Sequence, residues 1–180
     1  AEAKLQDNEA RLVRAQAVGR IGSWETELPT LRVTWSDETY HIFEIQPDQM
    51  QITHQRFLEL VHPEDRAVVD NAFVQSLSHR SPCSITHRVV TPDGRIKFLE
   101  ECWQTQEDDR GEPVRVVGTC QDVTQRKLAE DALRESETFN RSLMEASADC
   151  IKVLDLDGLL LHMNGPGLCL MELDDFGSMC

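Results

Sequence analysis

Basic residues are scarce in this 180-residue chain: 18 Lys and Arg stand against 32 Asp and Glu, a formal net charge of −14. A surface this acidic excludes a reader of the phosphate backbone, which needs a basic face, so no nucleic-acid partner is expected. No apolar run approaches the roughly 20 residues of a membrane span. Residues 1–18 are charged throughout, unlike a secretory leader. The expected location is therefore the cytoplasm. The six cysteines (Cys83, Cys102, Cys120, Cys150, Cys169 and Cys180) form no C-x-x-C pair and have no metal-ligand spacing. They read as reduced thiols, and no metal is expected. H-E-x-x-H, a Walker A loop, G-x-S-x-G and a kinase phosphoacceptor motif are all missing, so no catalytic residue is assigned.

What is present is a sequence of short periodic segments. Residues 1–18 read as a polar linker helix with a thin stripe of Leu5, Leu12 and Ala15. Gly19 and Gly22 break it. Residues 23–28 and 31–35 alternate like the strands of a hairpin turned at Pro29-Thr30. Ser36 is an N-cap followed by two acids, where the helix dipole favours them. The helix it opens carries Tyr40, Ile42, Phe43 and Ile45 and is expected to stop at Pro47. A second helix covers 53–61. Pro63 in His62-Pro63-Glu64-Asp65-Arg66 suits the first position of a third, whose apolar positions are Val68, Val69, Ala72, Phe73 and Leu77.

After Pro82 the period changes to two. Strands are expected at 83–91, 95–107 and 112–124, joined by turns at Thr91-Pro92-Asp93-Gly94 and Asp108-Asp109-Arg110-Gly111. Asp108-Asp109 are turn residues rather than metal ligands. The order β-β-α-α-α-β-β-β predicts an α+β fold: a five-stranded antiparallel sheet with helices on one face, flanked by linker helices. Thr124 is expected to cap a polar helix at 125–147. Strand-turn-strand follows at 149–163, then a helix capped by Asn164 with Leu168, Leu170, Met171 and Leu173.

The opening of the chain recurs near its end. Ala129-Glu130, Leu133 and Glu137 repeat Ala1-Glu2, Leu5 and Glu9, and the turn Asp157-Gly158 and cap Asn164 take the roles of Pro29-Thr30 and Ser36. A complete second copy would run past residue 180, and the chain starts at Ala1, so it is expected to be a piece of a longer protein.

The order of elements and seven short motifs together resemble the PAS domain with its C-terminal PAC segment. They are Gly22-Ser23-Trp24, Val33-Thr34-Trp35-Ser36-Asp37-Glu38, His62-Pro63-Glu64-Asp65-Arg66, His87-Arg88-Val89, Pro92-Asp93-Gly94-Arg95, Gly111-Glu112-Pro113-Val114 and Gly118-Thr119-Cys120-Gln121-Asp122-Val123-Thr124. The last resembles the family's G-x-x-x-D-[IV]-T ending, and Arg126-Lys127-Leu128-Ala129-Glu130 the linker helix after it. The resemblance implies a PAS/PAC sensory domain at 19–124 and the incomplete start of a second at 148–180. It implies a sensory and signal-relay module of a larger protein, most simply a sensor histidine kinase of a two-component system. A diguanylate cyclase or phosphodiesterase input module, or a ligand-free dimerisation spacer, are the alternatives. The family's cavity can hold a small molecule or be empty, and no cofactor is assigned.

Several residues bear on those readings. No cysteine lies between Trp35 and Pro82, where light-sensing relatives carry the flavin-reactive one. His62 sits in a capping sequence and His79 at a helix end, neither suited to haem. His87 alternates with Ile85 and Val89, so it is a candidate to point into the cavity, with a core histidine as the plainer reading. The junction of sheet and linker helix is the candidate signal path: Asp122 and Thr124, with Arg126 or Lys127 one turn on, or Glu27's strand, as partners of Asp122. A weak homodimer through the linker helices is expected, because Leu5 and Leu12, and Ala132 and Phe139, are spaced by a heptad.

Overall fold

A computed structural model describes residues 2–48, 51–78 and 82–171. It divides into two compact units, Ala1–Lys127 and Leu128–Cys180, each treated by itself below. His79, Leu173 and Cys180 lie outside the described residues, as do the side chains of Leu5 and Leu12.

The first unit runs α1 (Glu2–Gly19), β1 (Ile21–Glu27), β2 (Arg32–Trp35), α2 (Asp37–Phe43), α3 (His54–Leu60), α4 (Arg66–Ser76), β3 (Cys83–Val90), β4 (Ile96–Glu107) and β5 (Pro113–Asp122). The five strands form one antiparallel sheet in the order β2-β1-β5-β4-β3. β5 is thus the central strand, bonded to β1 from Ile21↔Gln121 to Glu27↔Arg115 and to β4 on its other edge. α5 (Thr124–Ala146) leaves directly from that strand.

Turn chemistry sets the connections. Gly94 and Gly111 adopt φ of 85° and 81°, the left-handed conformation these tight turns require. Asp108 is a turn residue, its Oδ1 accepting the amides of Arg110 and Glu112. Ser36 caps α2 through the Thr39 amide, and Thr53 caps α3 through that of Arg56.

Three local expectations differ. α2 stops at Phe43, ahead of Pro47, because Glu44 turns left-handed at φ 59° and its amide closes on the carbonyls of Tyr40 and His41. Pro63 does not open α4. Residues 63–65 form a turn and the helix begins at Arg66, because the Asp65 carboxylate is held by the Arg88 guanidinium and backbone amide of β3. That pairing keeps the Asp65 carboxyl down at about 2, against 3.8 ordinarily. Val68, expected in the core, is exposed, while Val69 and Phe73 beside it are buried.

Strand alternation gives the sheet an inner face. Leu99, Glu101 and Trp103 of β4, His87 and Val89 of β3, and Val116 and Cys120 of β5 are all buried. Leu99, Val89 and Cys120 join Trp35, Ile42, Phe43, Ile45 and Ile52 in one core cluster; Phe73, Trp103 and Val116 form a second.

In the second unit, β6 (Lys152–Leu154) pairs antiparallel with β7 (Leu160–Met163), and α6 (Gly165–Leu170) follows. Asn164 is fully buried and organises it. Its amide nitrogen donates to the carbonyls of Met144 and Asp149, and its Oδ1 accepts the amides of Ile151 and Gly167. Leu154, Leu156, Leu159 and Leu161 are exposed, whereas Met163 is buried. No helix among the described residues is long and apolar enough to cross a membrane.

Candidate functional site

Two places on the first unit combine polar chemistry with defined geometry: a cavity between the sheet and its helices, and the junction of β5 with α5.

The cavity is built from the inner face. Trp24 on β1 and Trp103 on β4 both register with Gly118 on the strand between them. A Cβ at Gly118 would lie 2.5 Å from the Trp24 ring, so only glycine lets that indole lie across β5. The two indoles then meet with centroids 6.3 Å apart. Trp35 stacks on Phe43 at 4.5 Å, and Phe57 meets Phe43 edge-on. These rings, with Val33, Val69, Phe73 and Ile85, enclose the space. His54 completes the wall, stacked on Phe73 at 4.3 Å with its Nε2 held 2.8 Å from Asp70.

The cavity's free volume is about 30 Å³. One water needs roughly 10–15 Å³ on that measure, so the space takes about two.

Glu101 is the acid of this wall. It lies between Leu99 and Trp103 on the inward phase of β4 and is 5% exposed. No hydrogen bond reaches its carboxyl among the described residues, and burial pushes its pKa up to about 8 from 4.5. His87 lies beside it, with Nε2 3.9 Å from Glu101 Oε1. His87 is buried as the alternation predicts, one row along the inner face and behind the cavity wall. Both of its ring nitrogens lack a hydrogen-bond partner. Burial lowers its pKa to about 4 from 6.5, against a smaller opposing pull from Asp65. At neutral pH both groups are therefore uncharged. The Nε1 atoms of Trp24 and Trp103 are also buried without partners.

None of the sequence motifs singles out Glu101. The signal was available: an acid at the middle inward position of an otherwise apolar strand face, Leu99-x-Glu101-x-Trp103. His62 behaves as its capping sequence suggests, its Nδ1 3.4 Å from the Glu64 amide.

The junction is also specific. Asp122 Oδ1 accepts the Thr124 amide at 3.0 Å and the Thr124 hydroxyl at 2.6 Å. The Thr124 hydroxyl in turn accepts the Phe98 amide of β4 at 2.9 Å. Asp122 thus provides the side-chain cap, whereas Thr124, expected to cap, ties the first residue of α5 back to the sheet. Asp122 Oδ2 turns to Lys97 at 3.6 Å, and Arg126 reaches Glu100 at 3.2 Å. Lys127 donates its amide to the Val123 carbonyl in the first turn of the helix. Glu27 pairs in register with Arg115, at the opposite end of β5 from Asp122, so it takes no part in the junction. Lys97 is the unexpected member. Its ammonium donates to the Ile42 carbonyl at 2.8 Å and lies 2.7 Å from Glu44, at the end of α2. One half-buried side chain therefore links the helix carrying Phe43, a cavity wall residue, to the origin of α5.

The comparisons agree with this architecture. Residues 32–120 match the family described as the PAS fold. A solved sensory box histidine kinase/response regulator from Burkholderia thailandensis E264 is similar at 32% identity with a TM-score of 0.61, over 73% of this chain and 98% of that one. A blue-light-activated histidine kinase of Brucella ovis is 35% identical over 63% of this chain and 22% of its own length. A probable diguanylate cyclase of Escherichia coli K12 is 27% identical over 86% of this chain and 14% of its own length. The chain thus spans less than a quarter of either of these two curated relatives. With the sheet order, the helix-covered inner face and the Asp122–Thr124 exit in place, these likenesses establish that the chain belongs to the PAS family of sensory domains.

Proposed function

We propose that the chain is a sensing and relay module of a larger cytoplasmic signalling protein, and that it performs no catalysis itself. The cavity is the sensing site and the Lys97–Asp122–Thr124 junction is the relay. The observation that carries this is the pairing of an aromatic-walled cavity with a path of hydrogen bonds and ion pairs from its wall to the helix leaving the domain. A change at Phe43 displaces the end of α2, and Lys97 carries that displacement to Asp122.

A sensor histidine kinase is the parent we favour, supported by the Burkholderia and Brucella likenesses. The Escherichia coli likeness supports a second reading, the input module of a diguanylate cyclase. In either setting α1 and α5 associate weakly with a second copy, and residues 148–180 begin a further PAS domain. The exposed Leu133, Phe139 and Leu143 of α5 support that association.

The wall does not fit flavin or haem. Among the described residues no cysteine lines it, the imidazole that does, His54, is engaged by Asp70, and the free space is far smaller than a tricyclic ring or macrocycle. The purified protein is expected to be colourless, and a visible absorption band from a cofactor-replete host would contradict this. Native mass spectrometry of the purified chain tests the sensing role. A stoichiometric small molecule supports it. Persistent absence of any, together with a cavity closed to all small solutes, favours a ligand-free spacer.

A further inference from the structure

The cavity's chemistry is lopsided. Six rings face or border it: Trp24, Trp35, Phe43, Phe57, Phe73 and Trp103. One carboxyl, that of Glu101, stands among them. Among the described residues, no Lys or Arg lines the wall. An acid in such a place has no internal cation to neutralise it, and burying an unpaired carboxylate is costly. Aromatic faces carry negative potential and attract cations, most strongly where water is excluded.

We propose that the cavity takes a compact organic ammonium ion, held by the Glu101 carboxylate and the faces of the surrounding rings. This rests on reading the cavity as the sensing site. The cation supplies the countercharge that the wall lacks. Its alkyl groups fill apolar space, and its charge lies against the indoles.

Binding is coupled to a proton. Glu101 is protonated in the free protein at neutral pH, since its pKa is about 8. On binding, its O–H bond breaks, the proton leaves to solvent, and the carboxylate so formed pairs with the ammonium. The other titratable groups near Glu101 are His87 from β3 at 3.9 Å, the Cys120 thiol from β5, and His54 of α3 on Asp70 of α4 across the cavity. His87 is neutral above about 4, and burial drives the Cys120 thiol far upward, so neither supplies a charge near neutrality. His54 already has its acid, which leaves Glu101 as the uncompensated acid of the wall.

The test compares methylammonium, which matches the roughly two waters the space takes, with methanol, an uncharged molecule of nearly the same size and shape. Each is titrated into the full chain at constant ionic strength, from pH 6 to 9. Indole N–H resonances of Trp24 and Trp103 report binding, assigned through Trp24→Phe and Trp103→Phe. Methylammonium affinity should rise by up to about tenfold per pH unit below about 8 and level off above it, while methanol affinity should not rise. Glu101→Gln should weaken methylammonium binding at pH 9 by at least about tenfold and abolish its pH dependence. The same variant should bind methanol as the wild type does, which shows that its cavity is intact. Methylammonium binding that ignores both pH and Glu101→Gln overturns the proposal, as does methanol binding as tightly at pH 9. If methanol alone binds, the sensing cavity stands and the ammonium specificity falls. If neither solute moves the indoles at any pH, both readings fail.

Discussion

Glu101 and His87 make the pH dependence of stability unusual between pH 4.5 and 8. The folded chain holds the Glu101 proton up to about 8, whereas the ordinary value is 4.5. Between those values the native state binds more protons than the unfolded state, so this group makes stability fall as pH rises. His87 acts in the opposite sense. Its native value is about 4 against 6.5, so the unfolded state binds the extra proton, and stability rises with pH across that window. From 4.5 to 6.5 the two slopes oppose each other, each at about 1.4 kcal/mol per pH unit at most, and nearly cancel. From 6.5 to 8 Glu101 acts alone, which predicts a loss of about 2 kcal/mol. Asp65, already ionised at about 2, adds no slope there. Urea unfolding at half-unit pH steps, followed by tryptophan fluorescence, measures this. Wild-type stability should be nearly level to 6.5 and then decline. Glu101→Gln should remove the decline, and His87→Leu should start it at 4.5 instead of 6.5. A wild-type profile that stays flat or rises from 6.5 to 8, or a Glu101→Gln profile that still declines, would refute the placement of an uncompensated acid in the core.

Three further outcomes follow from particular contacts. Gly118→Ala puts a methyl against the Trp24 ring and the Cys102 carbonyl, and should cost about 1–3 kcal/mol in denaturant unfolding and shift the Trp24 indole resonance. Asp122→Ala removes the acceptor for two Thr124 donors and should cost about 0.5–2 kcal/mol, with faster amide exchange at Thr124; output of the full-length parent at matched protein level should change by more than that loss explains. Asn164→Ala deletes four hydrogen bonds and should open the β6–β7 pair to rapid amide exchange while the unfolding midpoint of the first unit stays put.

The strands, their turns and the linker helices were legible because each has a local cause: alternation, a glycine at positive φ, or a serine, threonine or asparagine at a cap. Ser36 and Asn164 cap as their sequences suggest. What was not legible depends on residues far apart in the chain. Pro63 has the right chemistry to start a helix, yet Asp65 is drawn 23 positions away to Arg88, and a turn results. Asp122 has two bases one turn ahead in the sequence, and the sheet adds a third, Lys97, from a neighbouring strand. Glu101 reads as one acid among many until its neighbours on the face are Leu99 and Trp103. Pattern places a residue on a face; only the packed sheet shows that nothing there answers its charge.

The position of β5 has a consequence for how the chain is made. β1 and β2 are synthesised first, but the inner edge of β1 is completed only by β5, some ninety residues later, as in the pair Glu25↔Val117. Such a long loop closes late and slowly. During synthesis the first hairpin therefore waits with an open, bondable edge. The cavity cannot close until the strand that feeds α5 has emerged and inserted. A ribosome-bound chain ending before residue 113 should hold neither sheet nor cavity, so the last strand is the kinetic gate for the whole first unit.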